Sequence, residues 1–221
     1  MYRWLVLVLL AGCDLVFEVE VPEGKIAFVQ KNEGSTTDAT TEVAFLTDTR
    51  RGNLIIVGVD WSGDVTFNGI STSTGEVLEQ VGSEAIAGSI HARMFYAADI
   101  AGGPWGVTVV LSGPTDSLEV YLSEYAGIAR TDPLDAAAVN ASDGTFDVTS
   151  GEAQLAGTGD LIFAYSVDGS VTPGPDFTAR STFHSNLTME SISGEPGLYS
   201  ATAVATSGWT IHMAAFRRAT K

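Results

Sequence analysis

The chain predicts an all-β fold, a two-sheet antiparallel β-sandwich of jelly-roll type, and three observations carry that expectation. Short apolar or alternating segments recur at close intervals, and Gly, Pro, Asn or Asp closes each one. Leu54-Ile55-Ile56-Val57-Gly58-Val59 is apolar almost throughout, the pattern of a central strand covered on both faces. Helical periodicity is nearly missing. The one helical signal is Asp132-Pro133-Leu134-Asp135-Ala136-Ala137-Ala138, where Asp132 caps and Pro133 opens a short turn.

Taken in order, Phe17, Val19 and Val21 alternate with Glu18 and Glu20 until Pro22, as a first strand or an ordered linker would. Strands are then expected over 25–31, 41–47, 53–60, 64–68, 76–81, 89–97, 105–112 and 117–125. A looser stretch follows, and then 145–149, 160–167, 177–183, 187–192, 198–205 and 209–217. Trp105, Val107, Val109 and Leu111 alternate with Gly106, Thr108 and Ser112, which marks a strand with one inward face. Trp209, Ile211 and Met213 alternate with Thr210 and His212 in the same way, so both tryptophans read as core. A weak echo links the two halves of the chain. Gly52-Asn53-Leu54-Ile55-Ile56 matches Gly159-Asp160-Leu161-Ile162-Phe163, and Tyr96 before Trp105 matches Tyr199 before Trp209. Duplication of a half-sandwich and recurrence of ordinary strand patterning both account for it.

The formal net charge is −16. Such a surface repels nucleic acid and anionic headgroups, which excludes nucleic-acid binding, and it favours solubility, divalent cations or a salty habitat. Cys13 is the only cysteine, so no disulfide forms within the chain and packing alone must stabilise the fold.

The amino-terminal residues carry an address. Arg3, the apolar stretch from Trp4 to Leu10, and Ala11-Gly12 supply the positive start, apolar core and small-residue site of an export signal. The run is far shorter than the roughly 20 residues a membrane-spanning helix needs. Leu10-Ala11-Gly12-Cys13 resembles a bacterial lipoprotein lipobox. That resemblance implies cleavage before Cys13, a diacylglycerol thioether on its sulfur and an acylated amino group, hence an extracytoplasmic envelope protein anchored by lipid at the inner or outer membrane. Asp14 has the place that favours inner-membrane retention in enteric bacteria, a rule other lineages do not follow. The expected organisation is a signal over 1–12, a lipidated tether or first strand over 13–24, and a single sandwich domain over 25–221.

Further resemblance lies downstream. Gly52-Asn53-Leu54-Ile55-Ile56-Val57, Phe95-Tyr96-Ala97 with Ala101-Gly102-Gly103, Glu124-Tyr125-Ala126-Gly127 before Asp132-Pro133-Leu134-Asp135, and Trp209 before Ala214-Ala215-Phe216 look like an uncharacterised module of secreted bacterial proteins. The similarity spans most of 25–217. It implies the fold and transfers no catalytic residue.

Chemistry is sparsely signalled. There is no Gly-x-Ser-x-Gly elbow and no His-Glu-x-x-His, and Glu119 and Glu124, five apart on one strand, fall on opposite faces and cannot act as a pair. His91, His184 and His212 lack ligand spacing. Asn140, Asp143 and Asp147 gather oxygen donors in one loop that would suit calcium, although such turns also form without metal. No other cofactor is implied. On 117–125, Leu118, Val120 and Leu122 face inward and leave Glu119, Tyr121, Ser123 and Tyr125 opposite. Aromatic rings beside carboxylates suit a sugar-binding face, while a strand covered by a second sheet gives the same pattern. Trp61, at a turn, is the other ligand-binding candidate. The expectation is a non-catalytic envelope protein that binds a glycan or a partner protein. A lectin-fold polysaccharide-degrading enzyme and a self-associating adhesin component are its rivals.

Overall fold

The structure, a computed structural model, describes residues 24–167, 169 and 172–220; Cys13, the expected export signal and the 17–21 segment lie outside them. In the first half, β1 (Ala27–Thr36), β2 (Thr40–Ala44), β3 (Leu54–Ser62), β4 (Phe67–Thr72), β5 (Glu79–Ala87), β6 (Ile90–Ala97), β7 (Gly106–Leu111) and β8 (Leu118–Ala126) follow one another. The second half holds β9 (Leu134–Ser142), β10 (Asp147–Thr149), β11 (Ala153–Leu155), β12 (Leu161–Val167), β13 (Thr172–Pro173) and β14 (Thr178–Ser181). A 3-10 turn (Phe183–Ser185) then leads to β15 (Leu187–Ile192), β16 (Gly197–Tyr199), β17 (Thr202–Val204) and β18 (Trp209–Phe216).

The sandwich is antiparallel, and it is built twice. A five-stranded sheet ordered β1-β8-β3-β6-β5 is covered by β2-β7-β4; a second ordered β14-β15-β12-β18-β9 is covered by β10-β17-β13 and the small β11-β16 pair. With β9 set against β1, β10 against β2, β12 against β3 and β18 against β8, both halves share one strand order. The Gly-x-Leu-Ile echo follows this correspondence, since Leu54 opens β3 and Leu161 opens β12. The Tyr–Trp echo does not: Trp105 leads into β7, whereas Trp209 begins β18, the counterpart of β8.

Three cores separate the four layers. Ile55, Val57, Val59, Leu118, Val120 and Leu122 meet Val107, Val109 and Leu111 in the first. Leu54, Ile56, Met94, Tyr121 and Tyr125 meet Leu161, Phe163, Tyr165 and Phe216 between the large sheets. Ile162, Ala164, Ile211 and Met213 meet Val148, Leu155 and Ala203 in the third. A strand of a large sheet is therefore covered on both faces, which is why Leu54–Val59 runs apolar without alternation. β18 keeps its expected alternation but has two inward faces, because Thr210 and His212 turn to the other large sheet and are fully buried. Trp105 and Trp209 are core residues.

The helix expected over 132–138 is instead the start of edge strand β9. Asp132 has φ 46°, and Pro133 precedes the strand, where its missing N–H costs no ladder bond. Ala136, Ala137 and Ala138 pair with Ala215, Ala214 and Met213, so sheet pairing overrides the helical propensity of alanine.

The two large sheets approach closely at Gly58. A Cβ there would lie 2.9 Å from the Tyr165 ring, which lies over the strand. By register, Gly58 and Tyr165 are counterparts in the two halves: each is the fifth residue of its strand, and they pair with Tyr121 and His212 respectively. Gly58→Val should lower unfolding free energy by about 1–3 kcal/mol through overpacking, read as a lower denaturant midpoint; an unchanged midpoint would show that the sheets do not meet there.

Candidate functional site

Strand β8 divides its residues as its alternation requires, but both faces are interior. Leu118, Val120 and Leu122 enter the first core, while Glu119 (6% exposed), Tyr121 (2%) and Tyr125 (0%) lie between the large sheets. Trp61, 1% exposed, donates its indole N–H to the Val65 carbonyl at 3.0 Å and stacks on Phe67. Of the two readings open for this face, the geometry matches the strand covered by a second sheet: a ligand would have to part the sheets to reach it. The polar half of the alternation had named a face, and that face is covered by protein instead of water.

What the sheets enclose is a polar seam. Asp60 on β3 and Glu119 on β8 are cross-strand partners. The Tyr165 hydroxyl reaches Asp60 from the opposite sheet. Tyr121 Oη lies 2.5 Å from Glu119 Oε2 and 2.9 Å from the Phe183 carbonyl, two acceptors for one proton. The Asn186 amide nitrogen spans both acids, at 3.3 Å from Asp60 Oδ1 and 3.1 Å from Glu119 Oε2. Ser117 Oγ donates to Glu119 Oε1 at 3.0 Å. Burial and then the adjacent carboxylates push the Tyr121 and Tyr165 phenols well above their ordinary range, so both act as neutral donors.

At the rim, His184 Nδ1 lies 3.0 Å from Glu119 Oε1, and the side chain is half exposed. His184 and Ser185 have φ of 48° and 67°, consecutive left-handed residues without glycine's freedom. The His184 ring stacks on Phe183 with centroids 3.9 Å apart. A carboxylate holding Nδ1 while Nε2 faces outward is half of a base-and-nucleophile arrangement. The two acids behind it are sealed between sheets, so the geometry holds His184 in place and offers no cleft at the carboxylates.

The counterpart of Tyr121 in the second half is His212, and each bonds a backbone carbonyl of the other half. His212 Nε2 lies 2.9 Å from the Ser83 carbonyl, which as an acceptor requires the proton on that nitrogen. Burial pushes its pKa down to about 4, with the Ser83 bond opposing. His212 Nδ1 and the hydroxyls of Thr188 and Thr210, on the same face, are buried without a protein partner.

The remaining sequence candidates are dispersed. His91 bonds Glu84 at 2.7 Å and stacks on Trp61, far along the chain from His184 and His212. Burial raises the Glu84 pKa, but bonds from Arg93 and His91 outweigh it and hold the carboxyl below its ordinary value. The Asn140 amide donates to the Thr149 carbonyl at 2.9 Å and its oxygen accepts from Ala141 N–H at 2.9 Å, the metal-free turn bonding that its loop also allowed. No group of three His, Cys, Asp or Glu able to hold a metal occurs among the described residues. Glu119 and Glu124 lie on opposite faces, as their spacing requires. Glu124, fully buried, accepts from Gln30 (2.6 Å), the Arg50 amide (2.8 Å) and Asn53 (2.7 Å), tying down the loop before β3.

Two open depressions mark the ends of the large sheets. One, of about 260 Å³, lies between Ser62–Val65 and Pro114–Asp116 where β3 ends and β8 begins. The other, of about 690 Å³, lies at the opposite end against Tyr96, Asp132, Leu134, Arg217 and Arg218. Sequence reasoning missed Asp60, Tyr165 and Asn186. A charged residue directly after the apolar run 54–59 was the available signal. Comparison of the chain with protein-family models, with curated proteins and with solved structures gave no match.

His212 fixes the sign of an acid effect. Its folded pKa lies below the unfolded value of 6.5, so its contribution is present above that value and lost as pH falls toward 4. The loss should approach about 3 kcal/mol. Glu84 and Asp135, whose pKa values are lowered, lose their contributions only below the ordinary carboxylate range. His212→Gln should flatten the unfolding free energy measured between pH 6.5 and 4.5; an identical slope in the variant would remove His212 as the cause.

Proposed function

We propose that the chain is a lipid-anchored envelope protein, held outside the cytoplasm through Cys13, whose doubled sandwich is a non-catalytic body that binds a partner protein. The observation that carries the reading is Leu10-Ala11-Gly12-Cys13 after a short apolar run, with no second cysteine to compete for the thiol. Two or three acyl chains, at about 0.8 kcal/mol per buried methylene, make such an anchor stable where one would not. The resemblance of 25–217 to secreted modules agrees with this address.

A protein is favoured over a glycan as ligand because the aromatic and acidic face of β8 lies between sheets. Apolar side chains are exposed on an outer sheet instead. Phe146, just before β10, and Val204 on β17 are exposed there, and the Phe146 carbonyl accepts the Ala205 amide at 2.9 Å. Phe146 and Val204 are the contacts a protein partner would cover.

In a bacterial host, Cys13→Ala should shift the protein from the membrane fraction to the soluble one and abolish incorporation of an alkyne fatty acid. A native polypeptide with an uncut amino end and a bare thiol, read by mass spectrometry, would remove the anchor. Crosslinking in intact envelopes should give a protein adduct that Phe146→Ser weakens. A specific signal on a glycan array, unchanged in that variant, would replace the protein partner with a sugar.

A further inference from the structure

The net charge is −16, but the cations are not scattered. Gly24, where the described chain begins, packs beside Ala219, and the Lys25 carbonyl lies against Gly127. The Ala219 amide donates to the Gly127 carbonyl at 2.8 Å, the Ala129 amide to the Arg217 carbonyl at 2.8 Å, and Ile128 bridges Arg218. The Arg130 guanidinium lies over Gly52, next to Arg50 and Arg51. Lys25, Arg50, Arg51, Arg130, Arg217 and Arg218 are thus gathered around the point where the chain joins the body. Among the described residues only Lys31, Arg93 and Arg180 lie elsewhere, each within a strand.

The opposite end is the reverse. The loops beyond the far ends of β1, β3, β7 and β9 expose Asp38, Asp64, Asp116 and Asp143, and they hold no Lys or Arg among the described residues. The cationic end has its own exposed acids, Asp48, Asp99, Asp132 and Glu195, and Arg217 is paired with Asp135 at 2.8 Å. It is therefore close to balanced in charge, while the far end is purely acidic.

We infer that the end bearing Lys25, Arg50, Arg51, Arg130 and Arg218 rests on the anionic headgroups of the membrane that holds the anchor. The inference depends on lipidation at Cys13. The ten residues between Cys13 and Gly24 reach at most about 35 Å, little more than the length of one long strand, so the body stays near the bilayer. Within that distance charge decides the attitude. An anionic surface repels the far end and admits the cationic one, where each Lys or Arg near the surface adds attraction that its acidic neighbours partly offset. A single charge total hides this polarity.

Hydrogen–deuterium exchange on vesicle-bound lipidated protein tests it, with the mass of Cys13 recorded on the same sample. On phosphatidylglycerol–phosphatidylethanolamine vesicles, exchange over 127–132 should be slowed at least two-fold relative to phosphatidylcholine vesicles, while 62–66 and 114–117 stay unchanged. Salt at 0.5 M, where the screening length is only about 4 Å, should erase the difference. So should Arg51→Gln, Arg130→Gln and Arg218→Gln combined; the salt comparison on the unaltered protein stands even if that variant unfolds. Equal exchange over 127–132 on both vesicles at low salt overturns the inference. If Cys13 carries no lipid, the anchor reading fails by mass alone. The comparison is then run with the same thiol coupled to a maleimide lipid, and its outcome decides the surface separately.

Discussion

Face-to-face burial of the two five-stranded sheets is the constraint on which the other features rest. It turns the strands at the centre of each large sheet into strands without a wet side, and it forces whatever is polar there to find partners inside the protein. Each fully buried Leu, Ile or Phe contributes about 1.5–3 kcal/mol, and one orphaned polar group costs about as much. The seam of Asp60, Glu119, Tyr121, Tyr165 and Asn186 is tolerable because its members bond one another across the sheets. The same bonds fix how the halves are set: Tyr121 reaches the Phe183 carbonyl in one direction, and His212 reaches the Ser83 carbonyl in the other.

Much of this was legible in the residues, and the failures have one physical source. Leu54–Val59 declared cover on both faces because an apolar run cannot face water, and alternation with a closing turn marked most strands, while β9 was missed and β5 was touched only at its first three residues. Alternation separates a polar face from an apolar one, but it does not say what lies over the polar face. Tyr121 and Tyr125 looked like a ligand surface for that reason, and Thr210 and His212 like a solvated one. Local propensity failed where partners were distant in sequence: Ala136–Ala138 favour helix alone and become strand against β18. The Leu54 and Leu161 echo was an honest trace of the repeated strand order, whereas the Tyr–Trp echo compared positions that the topology does not superpose.

Composition misled in a similar way. A total of −16 describes an acidic molecule, yet six of the nine described Lys and Arg gather beside Gly24 and the charged side chains of the far loops are carboxylates. Sums discard position, and loops distant in the chain meet at each end of the strands. Gly127 belongs to this end: with φ 81° and the Lys25 carbonyl oxygen 2.2 Å from where a Cβ would stand, it leaves room for the incoming chain to lie flat against the body.

Gly58 and Tyr165 occupy matching places in the two halves and touch each other, a large ring over a bare backbone. A half stacked on a copy of itself would oppose ring to ring or leave hollow against hollow, and neither fills space as the mixed pairing does. Unlike residues at a near-symmetric centre thus act as lock and key between otherwise similar modules, favouring the union of one first half with one second half over the stacking of two identical halves.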